Sequence, residues 1–492
     1  PLALPKYEPR FNPCSLRSQG LRRMCLRHTL RCWIPLALPN IPQFRRKESL
    51  ISKELILINP CVSNLAVRLA LLFYKQKIDI ALLILAGLTP KDYRVRIFNQ
   101  KYFWRKKDFP KGALVGITCL THSSPVAYRL ADRYKKAGCA VVMGGAHASA
   151  LPEEALGHCD SVVVGEAESV WPQVMRDFEK GELKKIYQGQ PLEDFLSPVF
   201  DYFMQLPPRT LYVSGINISR GCKYNCEFCS RPPGKLRFAK IEQAIKLINR
   251  MKEGAIGLPG QRPWIGMTQE NNIFSDPAYA KKLFKAMVPC KISWAGLSSV
   301  DIAFDDEALV LAKESGCRML YLGFESIHPQ SFAKTDLAQI HSLEDYLKAI
   351  KKVKSYGIAV MGSFIFGFDD YTRRDYLRLL WFFIRARLYC IPVAMLTPFP
   401  GTALFERLKK EDRILTTDWS KYDIVFHVVY RPKHMSRVEL TLWFAVGGIV
   451  GFVFSLQGLL LTIGLFVGLM IGDAVVGDLK FRFSIWWFVR NL

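Results

Sequence analysis

The chain has 492 residues, half of them apolar and 23% charged, and its 68 Lys+Arg against 43 Asp+Glu give a formal net charge of +25. That length has room for two or three domains, and the apolar fraction can bury a substantial core, which excludes disorder over most of the chain. Thirteen cysteines, an odd number spread thinly with only three clustered, exclude a small disulfide scaffold, and the charge points to an acidic partner, nucleic acid or an anionic membrane surface.

Residues 1–52 carry ten Lys/Arg against two Glu. Runs such as Arg22-Arg23 and Arg45-Arg46-Lys47 are broken by prolines and show no helical or strand period. They read as a basic, disordered or non-native leader without the residue order of a secretory signal. Between 53 and 195, short apolar runs at 55–58, 95–97, 114–117, 140–143 and 161–164 read as buried parallel strands, with helices over 124–137 and 169–180. This alternation predicts an open doubly wound sheet, whose ligands lie at the carboxyl ends of its strands. Gly144-Gly145-Ala146-His147 and Gly165-Glu166-Ala167-Glu168 follow two of those strands and are candidate ligand loops. A lone histidine such as His147 is more often a satisfied loop residue than a ligand.

From 205 to 400 the alternation starts again. Strands are expected at 213–218, 264–268, 292–297, 319–324, 360–366 and 391–396, with helices at 241–251, 277–287, 306–315, 343–356 and 373–386. Six strand–helix units are fewer than a closed eightfold barrel needs, so a partial, open barrel is predicted, with chemistry on the loops after its strands. Residues 401–439 read as an extension of it. From Leu440 to Gly472 no side chain is charged. As one helix this stretch would run roughly 50 Å, against a hydrocarbon core of about 30 Å. Gly464, Gly468 and Gly472 recur at the spacing that lets helices approach closely. Arg431, Lys433 and Arg437 precede the stretch and Lys480, Arg482 and Arg490 follow it, which places both ends on the cytoplasmic side. Residues 440–492 are therefore expected to form a membrane-associated helical hairpin turning near Gln457-Gly458, with Trp443, Trp486 and Trp487 at the interface. A single tilted span and a buried helix pair are the alternatives.

The first strand of the second region leads into Gly221-Cys222-Lys223-Tyr224-Asn225-Cys226-Glu227-Phe228-Cys229. Three thiols within eight residues can fold around one metal centre. A closed zinc site takes four ligands, and the next cysteine is Cys290. Iron–sulfur cubanes are held by thiolates, usually four. Three would leave one iron open to chelate the amino and carboxylate groups of S-adenosylmethionine (SAM), so that an entering electron could cleave its sulfonium and release a 5′-deoxyadenosyl radical.

The C-x3-C-x2-C spacing with Phe228 before the last cysteine resembles that of the radical SAM enzymes. Gly323-Phe324-Glu325-Ser326, Phe366-Gly367-Phe368-Asp369 and Pro398-Phe399-Pro400-Gly401-Thr402 follow in that family's order. The run from Leu114-Val115-Gly116-Ile117-Thr118 through Gly144-Gly145-Ala146-His147 and Pro152-Glu153-Glu154-Ala155 to Val164-Gly165-Glu166-Ala167-Glu168 resembles its cobalamin-binding subfamily, so the likeness covers about residues 53–440. The implied fold is α/β: an N-terminal Rossmann-like, cobalamin-binding doubly wound domain (53–195), a partial (β/α)6 TIM-like radical SAM barrel (205–400) and a C-terminal hydrophobic helical segment.

The resemblance implies that Cys222, Cys226 and Cys229 ligate a 4Fe-4S cluster and that Phe228 packs near the adenine of SAM. Glu270, in Glu270-Asn271-Asn272, would accept from the SAM ammonium. Ser298 or Ser299 would donate to its carboxylate, with loop capping as the alternative role. Glu325 would accept from its ribose or amino group, since a carboxylate at a barrel mouth is costly without a partner. Gly144, Gly145, His147 and Gly165 would line the cobalamin groove. No Asp-x-His-x-x-Gly motif is present, so no lower cobalt ligand is assigned, and a degenerate domain without the corrinoid is the alternative.

The implied activity is cobalamin-dependent C-methylation of a hydrophobic, lipid or isoprenoid-like substrate. It would draw on an electron donor such as flavodoxin or ferredoxin, in the cytoplasm and attached to the membrane. Radical cyclisation or rearrangement, RNA modification, and a corrinoid or iron–sulfur sensor or scaffold are the rivals. Nucleic acid is disfavoured because much of the charge lies in the leader and no RNA-binding module is appended.

Overall fold

The computed structural model describes residues 53–61, 79–101, 108–230, 235–255, 261–267, 271–328 and 342–455. The leader, Glu270 and the later part of the expected hairpin (456–492) lie outside the described residues.

The first region alternates β1 (Lys53–Pro60), α1 (Ile80–Leu88), β2 (Tyr93–Lys101), β3 (Leu114–Thr118), α2 (Ser124–Lys136), β4 (Ala140–Gly144), the short α3 (Ala146–Ala150) and α4 (Pro152–Leu156), β5 (Ser161–Val164), α5 (Trp171–Lys180) and β6 (Ile186–Gln188). Its strands pair in parallel in the order β2-β1-β3-β4-β5-β6. The apolar runs are continuous because both faces of the sheet are covered. Leu55, Leu57, Leu114 and Val142 join Trp171 and Val174 on one face. Ile56, Ile58, Val115, Ile117 and Val141 join Tyr134 and Ala127 on the other. The strand order reverses direction between β1 and β3, so the crevice at their carboxyl ends is where such a sheet takes its ligand.

The second region runs α6 (Ser197–Gln205), α7 (Pro208–Ser214), β7 (Ser219–Arg220), β8 (Arg237–Phe238), α8 (Ile241–Gly254), β9 (Trp264–Met267), α9 (Pro277–Met287), β10 (Ser293–Ser298), α10 (Asp306–Glu314), β11 (Cys317–Glu325), α11 (Leu343–Ser355), β12 (Ala359–Phe366), α12 (Arg373–Ala386), β13 (Val393–Met395), α13 (Ala403–Lys410) and α14 (Arg437–Val453). The strands β13-β12-β11-β10-β9 form a parallel half-barrel. Its core is continuous from Leu83 of α1 to Leu440 of α14.

One expected strand is corrected. The stretch 213–218 is divided between the end of α7 and an irregular segment, because Pro208 starts a helix and Gly215 (φ 73°) stops it. Leu211 and Ile218 are buried on either side of that stop, so apolar content there reports burial rather than extension. Extended backbone begins just beyond it at β7, two residues paired antiparallel with β8. Among the described residues the parallel half-barrel therefore has five strands rather than six.

The C-terminal expectation also changes. No helix among the described residues is long and apolar enough to cross a membrane. The first half of the expected hairpin is instead part of α14, which lies along the half-barrel. Trp443 stacks on Tyr376 of α12 with ring centroids 5.4 Å apart, and Phe444 meets Phe366 edge-on at 5.8 Å. A side chain on Gly447 would run into the Phe366 ring, and one on Gly451 would stand 3.3 Å from Ile391. The glycines let α14 lie flush on β12 and β13. Gly447→Val should cost about 1–3 kcal/mol by overpacking and lower the melting temperature. Gly448→Val, whose Cβ would meet nothing nearer than Val393 at 3.8 Å, should leave it nearly unchanged.

Candidate active site

The cysteine loop leaves β7 and has no ladder of its own, so its shape is set by what grips it. Within the loop, Cys229 N–H donates to the Cys226 carbonyl at 3.0 Å. On one side, Asp301 accepts from Lys223 and Tyr224 of the loop and from Ser299 Oγ at 3.3 Å. Burial, then the hydrogen bond to Asp301, push the Tyr224 hydroxyl far up, so it stays protonated as a donor. Asn271 Nδ2 reaches the Gly221 carbonyl at 3.4 Å. Buried Asn272 donates to Ser299 Oγ at 3.1 Å and accepts from the backbone N–H of Ser299 and Phe274 at 3.0 Å. The ends of β9 and β10 thus form one polar bracket behind the loop.

On the other side, Glu227 takes a bidentate contact from Arg407 of α13, Nη2 to Oε1 at 3.0 Å and Nε to Oε2 at 3.2 Å, and its carbonyl accepts from Leu404 N–H at 2.9 Å. Arg407 also donates to Asp369 at 2.6 Å, and Arg413 to Asp369 at 2.9 Å. Burial works to raise the Asp369 carboxyl, but the Arg413 and Arg407 guanidiniums outweigh it and hold it below the usual range. Phe228 packs edge-on against Phe368 with centroids 5.8 Å apart. The Gly-Phe-Asp motif after β12 is therefore the loop's rear support, and Gly367 within it accepts from the Tyr430 hydroxyl.

Glu325 closes β11 in the left-handed region at φ 62°. The N–H of Ser326 returns to the Phe324 carbonyl at 2.8 Å, which makes Glu325 the centre of a tight three-residue turn. Strain of this kind persists only where the surroundings enforce it, and it collects at functional sites. Ser363 Oγ donates to both Glu325 carboxylate oxygens at 3.4 Å. Tyr371 links this turn to the loop's support: it lies 6.0 Å from Phe368, ring to ring, and its hydroxyl accepts from Ile327 N–H at 2.7 Å. Ser298 and Ser299 are both buried. Ser298 Oγ caps the Ser299 carbonyl at 3.0 Å, and Ser299 belongs to the bracket, so both hydroxyls already serve the loop's architecture.

The carboxyl edge of the first sheet faces these barrel loops. Gly145 (φ 98°) and Gly165 (φ 83°) need their backbone freedom, since a Cβ would stand 2.8 Å from Cys119 N in one case and 2.7 Å from Gly189 O in the other. Gly144 has ordinary room. His147 is buried, with Nδ1 3.3 Å from Thr121 Oγ1 and Nε2 3.4 Å from Glu154 Oε1. Burial lowers its pKa, favouring the neutral ring. Its edge lies 5.2 Å from Trp419, whose Nε1 donates to Glu154 at 2.8 Å. The ring is thus a joint between the two regions. Glu166 accepts from Arg220 and Arg237, both at 2.9 Å, and Glu168 from Arg220 at 2.6 Å. Arg220 immediately precedes Gly221-Cys222, so one carboxylate loop of the first sheet holds the root of the cysteine loop.

The donor set fits an iron–sulfur cubane. Among the described residues no cysteine is in a disulfide, and Cys222, Cys226 and Cys229 are half-buried to exposed, whereas Cys61, Cys119, Cys139, Cys159, Cys290 and Cys317 are buried. Among those residues no three His, Cys, Asp or Glu side chains are grouped to hold a single metal ion. A cubane, with its irons at separate corners, asks its thiolates to stand further apart than a zinc ion does. For a corrinoid, the reversal of strand order supplies a crevice at the carboxyl ends of the strands, where such sheets take their ligands, and the Gly144-Gly145 and Gly165 turns lie along that edge. Sequence reasoning missed Asp301, Asp369, Arg407, Arg413, Arg220 and Arg237, although Asp369 stood inside a motif it had singled out.

The Glu166 joint carries a pH signature. Burial alone would raise its carboxyl, but Arg237 and Arg220 hold it below the ordinary value of 4.5. A depressed folded-state pKa contributes stability above the unfolded value, and that contribution disappears as pH falls through the folded one. Glu166→Gln should cost on the order of 3 kcal/mol near neutrality. Thermal melts should show this difference between wild type and variant shrinking below about pH 4. A constant difference from neutral to strongly acid pH would refute this account.

The Radical SAM superfamily pattern matches residues 216–382, and the B12 binding domain pattern matches residues 79–175. The bacteriochlorophyllide d C-12(1)-methyltransferase of Chlorobaculum tepidum is 30% identical over 368 residues, 73% of this chain and 79% of that one. The hopanoid C-2 methylase of Rhodopseudomonas palustris is 24% identical, over 70% of this chain and 67% of its own. The solved structure of the cobalamin-dependent SAM radical enzyme OxsB with aqua-cobalamin bound shares the fold. Its TM-score is 0.62 at 14% identity, over 89% of this chain and 71% of that one. With its half-barrel, its thiol loop and a relative this similar along most of its length, the chain belongs to the B12-binding radical SAM family of cobalamin-dependent methyltransferases, whose cofactors are a 4Fe-4S cluster, SAM and cobalamin.

Proposed function

We propose that this methyltransferase acts at carbon on a hydrophobic substrate of the lipid or tetrapyrrole class. The observation that carries this reading is the likeness to methyltransferases named for a bacteriochlorophyllide and a hopanoid. Bound together, the three cofactors supply the electron, the radical and the methyl group. The chain's own residues position them. Cys222, Cys226 and Cys229 hold the cluster from a loop braced by Glu227–Arg407 and by Asp301. Phe228, seated on Phe368, flanks the adenine of SAM. Glu325, held out by its strained turn, accepts hydrogen bonds from SAM, and Glu270 is assigned to its ammonium. The carboxyl edge of the first sheet, where the chain turns at Gly144, Gly145 and Gly165, would hold the corrinoid, and the Glu166–Arg220 joint fixes that edge against the cysteine loop. Docking of the two regions through Glu166–Arg220 and Glu154–Trp419 would keep a methyl donor held at the sheet edge close to a radical source held by the cysteine loop. An external one-electron donor such as a flavodoxin or ferredoxin completes the cycle.

Alanine at any one of the three cysteines should abolish the cubane absorbance and lower 5′-deoxyadenosine formation from SAM at least ~100-fold. The circular dichroism spectrum should stay intact. Anaerobically reconstituted enzyme supplied with methyl-labelled SAM should pass label to material extracted into organic solvent. Label recovered in tRNA, with none in the apolar extract, would overturn the substrate class.

A further inference from the structure

We propose that the paired outer faces of α12 and α14 form a docking surface for an anionic lipid bilayer, on which the enzyme lies flat. The inference rests on and deepens the reading of an apolar substrate. Among the described residues the five most exposed large apolar side chains all lie on these two helices: Val438 (70%), Ile449 (64%), Leu442 (61%), Trp381 (60%) and Leu377 (59%). Leu377 and Trp381 are four residues apart, and Val438, Leu442 and Ile449 recur at four and seven, so each helix presents one stripe. The helices lie side by side, joined by the Tyr376–Trp443 stack and by Arg373 donating to Glu439 at 3.0 Å. The two stripes therefore stand on neighbouring helices, and grouped exposed apolar side chains of this kind mark interaction surfaces.

The rim of that face selects the partner. Arg373, Arg374 and Arg378 stand in the first turns of α12, Arg437 opens α14, and Arg431 and Lys433 precede it; all six are exposed. Three of the six have acidic neighbours: Arg373 pairs with Glu439, Arg378 lies 3.6 Å from Asp375, which also accepts from Thr372 N–H, and Lys433 lies 3.9 Å from Asp369. Cations at a helix N-terminus oppose the macrodipole, so they do not serve the helices' own stability. With six cations against the three acids Asp369, Asp375 and Glu439, the rim keeps an excess of positive charge carried by Arg374, Arg431 and Arg437, and an apolar stripe edged in this way suits a surface of acyl chains under phosphate headgroups. The inner face of α14, with Leu440, Gly447 and Gly451 buried, stays on the half-barrel. A helix packed this way cannot leave the domain to span a bilayer, so the contact is in-plane. The basic rim lies at the N-terminal ends of both helices, the end of the barrel at which Gly367 and the cysteine loop's support sit. An apolar substrate would then have a short path from the headgroup level to the site.

Full-length enzyme should co-sediment with phosphatidylcholine vesicles, and more strongly when they contain phosphatidylglycerol. Trp381→Glu and Leu442→Glu alter exposed positions, so their melting temperatures should match wild type. Each should weaken vesicle binding roughly ten-fold or more. Arg374→Glu with Arg378→Glu should remove the preference for anionic vesicles while leaving binding to neutral ones. Vesicle binding that Trp381→Glu and Leu442→Glu leave unchanged would overturn the proposal and place the contact in residues 456–492. Absence of binding would also overturn it, as would self-association broken by the same variants, which would assign the face to a second copy. 5′-Deoxyadenosine formation without vesicles reads the chemistry separately: its loss in wild type would indict the proposed function, and its retention alongside failed binding would indict only this surface.

Discussion

The eight-residue loop that carries three thiols, Cys222, Cys226 and Cys229, has no hydrogen-bond ladder with which to hold itself. Its conformational entropy has to be removed by the surrounding structure, and the structure does so with charge. Asp301 takes Lys223 and Tyr224 from one side, while Glu227 is clamped by Arg407 from the other. Charge-assisted, bidentate contacts are the strong and directional ones, so a few of them can define a loop that backbone pairing leaves undefined. Most of the motifs after the half-barrel strands then make sense as parts of this support.

The same economy extends across the two regions. The glycine-rich loops of the first sheet meet the barrel through Glu166, Glu168, Glu154 and His147, whose partners are Arg220, Arg237 and Trp419. Arg220 is the residue before Gly221-Cys222. A corrinoid at the sheet edge and a cluster on the loop would thus be referred to one shared point.

One expectation failed and another changed in part for one reason: apolar sequence reports burial and not the shape of what is buried. Residues 213–218 were apolar enough for a strand, but Pro208 and Gly215 frame a helix there, and extended backbone begins just beyond at β7. The uncharged run from Leu440 suggests a membrane-associated hairpin; one side of its first turns covers β12 and β13, where Gly447 and Gly451 let the backbone approach, and the run beyond Ser455 lies outside the described residues. His147 is a related case. Its position after a strand was legible, but its burial between Thr121, Glu154 and Trp419 was not.

The amino-acid sequence alone determined the parts of this protein whose chemistry is local. These are the three cysteines at cluster spacing, the strand–helix alternation of two α/β regions, and the glycine turns at strand ends, because each depends on neighbours within a few residues. Tertiary structure alone decided which charges hold the loop, since Glu227 and Arg407 are separated by 180 positions and Glu166 and Arg237 by 71. It also decided which side of α14 meets protein and which is left exposed. Pairings between distant residues are set by how the chain closes on itself, and residue order along the chain carries no direct record of that closure.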